Sequence, residues 1–253
     1  MDEGQINLVN CHIGGFLSFI NDLVELFERN KMPISEKEAE LFSKYYELLS
    51  EGNAKFNLTS ITDPKEVIVK HFIDSVLPCS IIPQKAMLAD IGSGAGFPGI
   101  PLKIVRDDLS LTLIESTGKK AKFLESTVSS LGLEHTYIFS QRAEVLSRGK
   151  LRNRFDVVTA RAVAPLNILL EYTMPLLGRG GLFIAYKGPG FHEEIEKAKR
   201  AVSLLGGELQ ETWEFDLNEE YKRVILVFKK TGETPDEYPR ENKVLLRRPL
   251  GEQ

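Results

Sequence analysis

The residues with the clearest chemical pattern form a glycine-rich segment, Asp90-Ile-Gly-Ser-Gly-Ala-Gly-Phe-Pro-Gly99. The segment follows an apolar stretch at 86–91 and precedes another at 100–105, so the order predicted is strand, glycine turn and helix. Glycine permits positive φ angles and lets the backbone approach a ligand closely. The pattern predicts a nucleotide-cofactor loop, whose candidate binding residues are Asp90, Gly92, Ser93, Gly94 and Gly96.

Two acids further along the chain have positions that suit the same cofactor. Glu115 directly follows the apolar stretch 111–114, and a carboxylate at the end of the second strand can accept hydrogen bonds from both hydroxyls of a ribose. Glu144 follows the third predicted strand, where such sheets place a group that reads the adenine edge. From the sequence alone, a solvated surface carboxylate explains Glu144 equally well.

Two classes of cofactor fit this loop. The stretch Gly94-Ala-Gly-Phe-Pro-Gly99 matches the G-x-G-x-x-G pattern of dinucleotide binders, and Glu115 has a suitable spacing for a nicotinamide-dependent oxidoreductase. S-adenosyl-L-methionine is favoured because its enzymes often place an acid where Asp90 stands, two residues before the first glycine. Pro98 also removes an amide where a dinucleotide loop begins its phosphate-binding helix. We therefore predict a methyltransferase, with the NAD-dependent oxidoreductase as an alternative.

Two motifs that the sequence lacks restrict the chemical class of the methyl acceptor. Enzymes that methylate exocyclic amines carry an Asn/Asp-Pro-Pro-aromatic tetrapeptide after the fourth strand, whereas this chain reads Thr159-Ala-Arg-Ala-Val-Ala-Pro165 there. Methylation of pyrimidine C5 needs a cysteine nucleophile, and neither Cys11 nor Cys79 lies near the cofactor-side ends of the strands. The remaining acceptors are a ring nitrogen with a free lone pair, such as guanine N7, or an oxygen with a base.

Two cations follow predicted strands at the edge where open sheets bind ligands. Arg161 is our candidate catalytic residue, because it can hold a phosphate, a base edge or the cofactor carboxylate; a salt bridge to a nearby acid is the alternative. Lys187 follows the fifth strand and faces the same crevice. His71 is expected to pack or to cap a helix. The histidines and cysteines show no metal-ligand spacing, so neither a metal site nor a disulfide is expected.

The elements that must position these residues change in character at about residue 86. Apolar periodicity predicts helices in the first 84 residues, including one from Phe16 to Phe27, one after the capping box Ser35-Glu-Lys-Glu38 and one from Asp63-Pro64. Strands are then predicted at 86–91, 111–114, 137–139, 155–159 and 181–186, and helices at 100–105, 119–131, 166–177 and 193–205, with Gly178 closing the third. Two last strands, at 212–215 and 224–228, predict an antiparallel hairpin.

This alternation predicts an α/β protein with a Rossmann-like, seven-stranded and mostly parallel sheet, as in class I S-adenosylmethionine-dependent methyltransferases. We divide it into an N-terminal helical segment (1–84) packed on the core, the cofactor-binding core (85–230) and a basic C-terminal tail (231–253).

Composition and charge limit the partners. Of the 253 residues, 42% are hydrophobic and 27% charged, and no apolar run is long enough for a membrane span, so we expect a cytoplasmic globular protein. The net charge is −4, of which residues 1–84 carry −6. Stretches 142–161 and 240–250 are basic by contrast. They predict either solvated surface or contact with phosphates.

Several motifs together resemble the bacterial GidB/RsmG family over about residues 15 to 230. They are Phe56-Asn-Leu-Thr59, His71-Phe-Ile-Asp-Ser75, the glycine segment extended to Leu102, Arg161-Ala-Val-Ala-Pro-Leu166 and Tyr186-Lys-Gly188. The resemblance implies a class I methyltransferase fold with a helical N-terminal part. It also implies methylation of guanine N7 at position 527, in the 530 loop of 16S ribosomal RNA. The tail after Thr231, whose basic residues suggest RNA contact or loosely packed surface, departs from the family pattern.

The resemblance also implies roles for single residues. Gly92 and Phe97 would line the methionine part of S-adenosyl-L-methionine, Glu115 would bind the ribose, and Ala143 with Glu144 would contact the adenine. Arg161 would lie beside the cofactor and the incoming base, and the substrate-binding candidates are Asn57, His71 and Lys187. The implied partner is 16S rRNA in the small ribosomal subunit, and we expect the enzyme to be a monomer. A methyltransferase of a small molecule or of a protein is the second alternative.

Overall fold

A seven-stranded sheet forms the centre of the fold in the computed structural model, which describes residues 17–218 and 221–251. Its strands are β1 Met87–Ile91, β2 Ser110–Ile114, β3 Thr136–Phe139, β4 Phe155–Arg161, β5 Leu177–Lys187, β6 Gly207–Asn218 and β7 Tyr221–Lys230. Their order is β3-β2-β1-β4-β5-β7-β6. Strands β1 to β5 are parallel, whereas β7 runs antiparallel to both β5 and β6. This confirms the predicted mostly parallel sheet with an antiparallel C-terminal hairpin.

The part of the chain before the sheet is helical. Helix α1 covers residues 17–29 and is followed by α2 (Glu36–Phe56), α3 (Pro64–Val67), a π-helical turn (Ile68–Ile73) and α4 (Asp74–Val76). Both start signals in the sequence are confirmed, since Ser35 and Glu38 form the capping box of α2 and Asp63 caps α3. Phe16, Cys11 and the first residues lie outside the described ranges.

The remaining helices cover the two faces of the sheet. They are α5 Gly99–Val105, α6 Gly118–Leu131, α7 Ala143–Arg148, α8 Leu166–Thr173, α9 Phe191–Leu204 and α10 Asn242–Arg247. Successive side chains of a strand point to opposite faces. In β4, Val157 therefore packs with the N-terminal helices, α5 and α6, while Val158 packs with α7, α8 and α9. The carboxyl ends of β1, β2 and β4 are left together at one edge, where the glycine segment begins.

The structure corrects one predicted boundary. The helix expected at 166–177 ends at Thr173, a 3-10 turn covers Met174–Leu176, and Gly178 lies inside β5. The carbonyls of Pro175 and Leu176 accept hydrogen bonds from Asn153 and Arg154, both at 2.9 Å, instead of continuing the helix. Within the described ranges, no helix is both long and apolar enough to cross a membrane, and no three metal-ligating side chains are grouped.

Candidate active site

The glycine segment forms a tight turn between β1 and α5. Gly92, Gly94 and Gly96 have φ angles of 66°, 58° and 109°. Residues other than glycine rarely adopt such positive φ angles. The Gly92 amide donates to the Ile114 carbonyl at 2.8 Å, and the Ser93 carbonyl accepts from the Gly96 amide at 2.7 Å. A Cβ atom at Gly94 would meet nothing closer than 3.8 Å, so this position faces open space. The turn is therefore a backbone cradle with room for a ligand.

Asp90 lies beneath this turn. Its fully buried carboxylate accepts hydrogen bonds from the Gly99 amide at 3.2 Å and from the Thr159 hydroxyl at 3.0 Å. Burial raises the pKa of Asp90 to about 7, although both hydrogen bonds act in the opposite direction. These contacts tie the start of α5 to β4. They favour a role for Asp90 in shaping the loop over direct contact with a cofactor.

Glu115 lies at the end of β2 and closes the other side of the turn. One carboxylate oxygen accepts from the Gly94 amide at 3.0 Å and the other from the Thr117 amide at 2.7 Å. A carboxylate has about four acceptor positions, so roughly two remain available. They suit two neighbouring hydroxyl donors, as on a ribose.

A cavity of about 270 Å³ adjoins Glu115, with Ala143, Glu144 and Tyr172 among its lining residues. Glu144 is only 7% exposed, so it is not the solvated surface carboxylate that the sequence left possible. No hydrogen bond to its carboxylate is found among the described residues. Burial and the nearby Glu144 raise the pKa of Tyr172 to about 12. The carboxylate oxygens of Glu144 are not fully enclosed by protein, so they can accept a hydrogen bond inside the cavity, which suits a ligand that brings an amino group.

Arg161 lies at the end of β4 and is paired with an acid. Its Nη1 donates to the fully buried Asp74 at 2.7 Å and to the Lys70 carbonyl, in the π-helical turn, at 3.1 Å. Arg223 binds the same carboxylate through Nε at 2.5 Å. The Arg161 guanidinium also lies 4.9 Å from the ring centroid of Phe97. The salt bridge considered for Arg161 is thus present, and the group of Asp74, Arg161 and Arg223 keeps a formal charge of +1.

His71 packs between this group and the glycine segment. Its ring stacks on Phe97 at 4.5 Å, its Nε2 is 2.8 Å from the Thr59 hydroxyl, and its Nδ1 is 3.2 Å from Arg161 Nη2. Burial, with a smaller contribution from Arg161, lowers the pKa of His71 to about 3. The imidazole is therefore neutral at physiological pH. These contacts agree with the packing role expected for it, and they give Phe97 a fixed ring orientation.

A second cavity, of about 660 Å³, lies beside the first, and residues 162–167 line part of it. Lys187 holds this loop through hydrogen bonds to Glu194 at 2.6 Å and to the Ala164 carbonyl at 3.1 Å. Ala162 has a φ of 56°, a left-handed conformation that costs a residue with a side chain about 1 kcal/mol. Val163 and Ala164 line both cavities. The loop is therefore a shared wall between two adjacent chambers.

Comparison with known proteins identifies the family. The model described as GidB, rRNA small subunit methyltransferase G, matches residues 38–223. The chain belongs to the GidB family. Proteins named ribosomal RNA small subunit methyltransferase G from Staphylococcus aureus (strain Newman) and Lactobacillus johnsonii are 42% and 41% identical to it. The matches cover 87% and 86% of this chain and 93% of each relative.

Solved structures show the same fold at low identity. The M. jannaschii TYW2 protein, in complex with AdoMet, has a TM-score of 0.51 at 14% identity, covering 63% of this chain and 76% of its own. A Corynebacterium glutamicum protein has a TM-score of 0.51 at 15% identity, covering 75% and 90%. The predicted methyltransferase fold class is thereby confirmed.

Most of the residues that the sequence singled out in this GidB protein meet at one edge of the sheet, with Asn57 as the exception. It is an exposed residue that ends α2 with a φ of 49°, which explains an asparagine there without a ligand. Sequence reasoning missed Tyr45, whose hydroxyl donates to the Ala95 carbonyl at 2.7 Å and so supports the glycine turn. It also gave no role to Asp74, although that residue lies inside a motif that carried the family resemblance.

Proposed function

We propose that this GidB protein transfers a methyl group from S-adenosyl-L-methionine to N7 of the guanine at position 527, in the 530 loop of 16S ribosomal RNA. The relatives are named methyltransferases of small-subunit ribosomal RNA, and we propose the same activity for this chain. The guanine and its N7 come from the family resemblance. The observation that carries the proposal is the pair of adjacent cavities separated only by the loop at 162–165. One cavity has the acceptors that an adenosine needs, and the other is bordered by cations and open to a larger substrate.

The residues of the first cavity fit the cofactor. Glu115, which lies between the lining residues Ile114 and Ser116, offers acceptors for the two ribose hydroxyls, and the carboxylate of Glu144 in the cavity wall offers one for the adenine amino group. The open space at Gly94 leaves room for the rest of the molecule. When bound, S-adenosyl-L-methionine supplies a methyl group on a positively charged sulfur, which is a good electrophile.

The side chains around the second cavity are suited to orient an acceptor and to attract RNA. Guanine N7 carries no proton, so no general base is required, and the neutral, fully engaged His71 agrees with that. Methyl transfer depends mainly on positioning and electrostatics. Arg161, Phe97 and His71 fix one side of the site, while Lys187 fixes the loop on the other. Arg161 acts here as a positioning residue, and Arg223 lines the second cavity with a positive charge.

The partner would be the small ribosomal subunit, and the place of action the cytoplasm. The test is transfer of radiolabelled methyl from S-adenosyl-L-methionine to small subunits that lack the modification, followed by nucleoside analysis. We expect the label in 7-methylguanosine. Subunits in which guanine 527 is replaced by adenine are the matched control and should stay unlabelled. Label in ribosomal protein, in another nucleoside or equally in the control subunits would refute the assignment.

A further inference from the structure

The chain after β7 is anchored to the core by basic residues. In this C-terminal segment (residues 231–251), the Tyr238 and Thr234 carbonyls each accept from Arg152 at 2.7 Å. Arg240 pairs with the buried Glu171, with 2.8 Å between Nη2 and Oε2, and its backbone amide donates to the same carboxylate at 2.7 Å. The sequence suggested RNA contact or loose packing for this tail. For Arg240 that expectation is corrected, because its charge is used within the fold. The same holds for Arg152 in the basic stretch 142–161, which the sequence predicted as solvated surface or phosphate contact.

The anchored segment brings α10 to the smaller cavity. Asn242 and Leu246 line it together with Glu144 and Tyr172, and the Tyr172 hydroxyl donates to the Asn242 side-chain oxygen at 2.7 Å. Residues four apart share one face of a helix, so both α10 residues face the cavity. Leu246 is 55% exposed, so more than half of its side-chain surface is not packed against the protein. Its apolar surface is free to cover a ligand.

We propose that the C-terminal segment completes the adenosine end of the cofactor site, with Leu246 packing on the adenine ring. The inference rests on the proposed function, since it assumes that the cofactor contains adenosine. Glu144 offers an acceptor for the polar ring edge, and Leu246 offers apolar surface for the ring itself. The segment lies beyond residue 223, where the match to the family model ends.

Leu246→Ala tests this contact, because a residue so exposed can be shortened without disturbing the fold. From the apolar area that an adenine ring would cover, we expect the Kd of S-adenosylhomocysteine to rise about fivefold. The Kd of 5′-methylthioadenosine, which keeps the adenosine but lacks the amino acid, should rise by the same factor. In the methylation assay, the KM for S-adenosyl-L-methionine should rise while kcat is retained.

Val244→Ala is the matched control. Val244 lies on the opposite face of α10, is 44% exposed and does not line the cavity. The Val244→Ala substitution should leave the Kd values of S-adenosylhomocysteine and 5′-methylthioadenosine unchanged. Neither variant should shift the thermal midpoint of the ligand-free protein. If Leu246→Ala binds both ligands as tightly as Val244→Ala does, the proposed contact is wrong. If the wild-type protein binds neither ligand, the proposed function itself is wrong and this inference falls with it.

Discussion

Glu115 combines two tasks at the scale of a single residue. Its carboxylate accepts from the Gly94 and Thr117 amides and keeps acceptor capacity for a ribose. In Glu115→Gln the side chain keeps its shape, but its amino group must face one of these amides or a ribose hydroxyl. Charge-assisted hydrogen bonds are lost as well, so we expect the Kd of S-adenosylhomocysteine to rise roughly tenfold or more, measured by calorimetry.

The exposed Glu125 on α6 provides the control for that variant. Glu125→Gln removes the same charge from the protein without touching the site, so its Kd should equal that of the wild type. Similar losses in the two variants would mean that overall charge, and not the ribose contact, governs binding.

The sequence could predict a place in the site for some residues and not for others. Glu115 and the glycines were predictable because their spacing follows directly from a strand, a turn and a helix that are contiguous in the chain. Tyr45 and Asp74 were not, because each reaches the site from a helix far away in sequence. Tyr45 meets Ala95 across 50 positions, and Asp74 meets Arg161 across 87. Nothing near either residue in the sequence indicates that partner.

At the scale of elements, the attachment of the C-terminal segment depends on one buried ion pair. Arg240→Met leaves the Glu171 carboxylate, which is 1% exposed, without its cationic partner. Removing one partner of a buried pair typically costs about 3 kcal/mol, and we expect a loss of that order in the free energy of unfolding, measured by urea denaturation.

Lys243→Met separates this structural effect from RNA binding. Lys243 is an exposed cation on α10, three residues from Arg240. We expect the Lys243→Met substitution to leave the free energy of unfolding unchanged. The role in the fold assigned to Arg240 would be contradicted if Arg240→Met unfolded like the wild type and lost only its affinity for ribosomal subunits.

Elements with strong local signals were also the ones that sequence predicted. The capping box at Ser35 and the Asp63-Pro64 pair mark their helices because the signals are local. Helices α7 and α10 have six residues each and were not predicted. Helices this short are held by tertiary packing, not by local propensity. The prediction that Gly178 ends a helix was wrong for the same reason. Leu177 pairs with Phe155 of β4, and this tertiary contact starts β5 before Gly178.

At the scale of the whole molecule, the helical N-terminal part and the sheet share one hydrophobic cluster. Phe42 and Tyr45 of α2 pack with Phe72, and Phe72 lies 6.2 Å from Phe97 of the glycine segment. The same part of the chain contributes His71 and Asp74 to the site. The helical part from residue 17 to residue 84 therefore helps to build the site, and residues 1–84 carry a net charge of −6. This combination opposes strong binding to bare RNA, because phosphates are repelled by much of the surface.

An acidic enzyme with a few cations at its site should depend on the assembled small subunit to hold the 530 loop in a defined conformation. We expect assembled small subunits to be methylated at least about tenfold faster than protein-free 16S RNA at equal concentration, because the enzyme's own electrostatic affinity for RNA is low. Initial rates with both substrates at physiological salt measure this. Lowering the salt should not rescue bare RNA, since weaker screening also strengthens the repulsion between its phosphates and the acidic surface of the enzyme. Equal rates at physiological salt would show that the 530 loop alone is sufficient, and that the few cations at the site outweigh the acidic remainder.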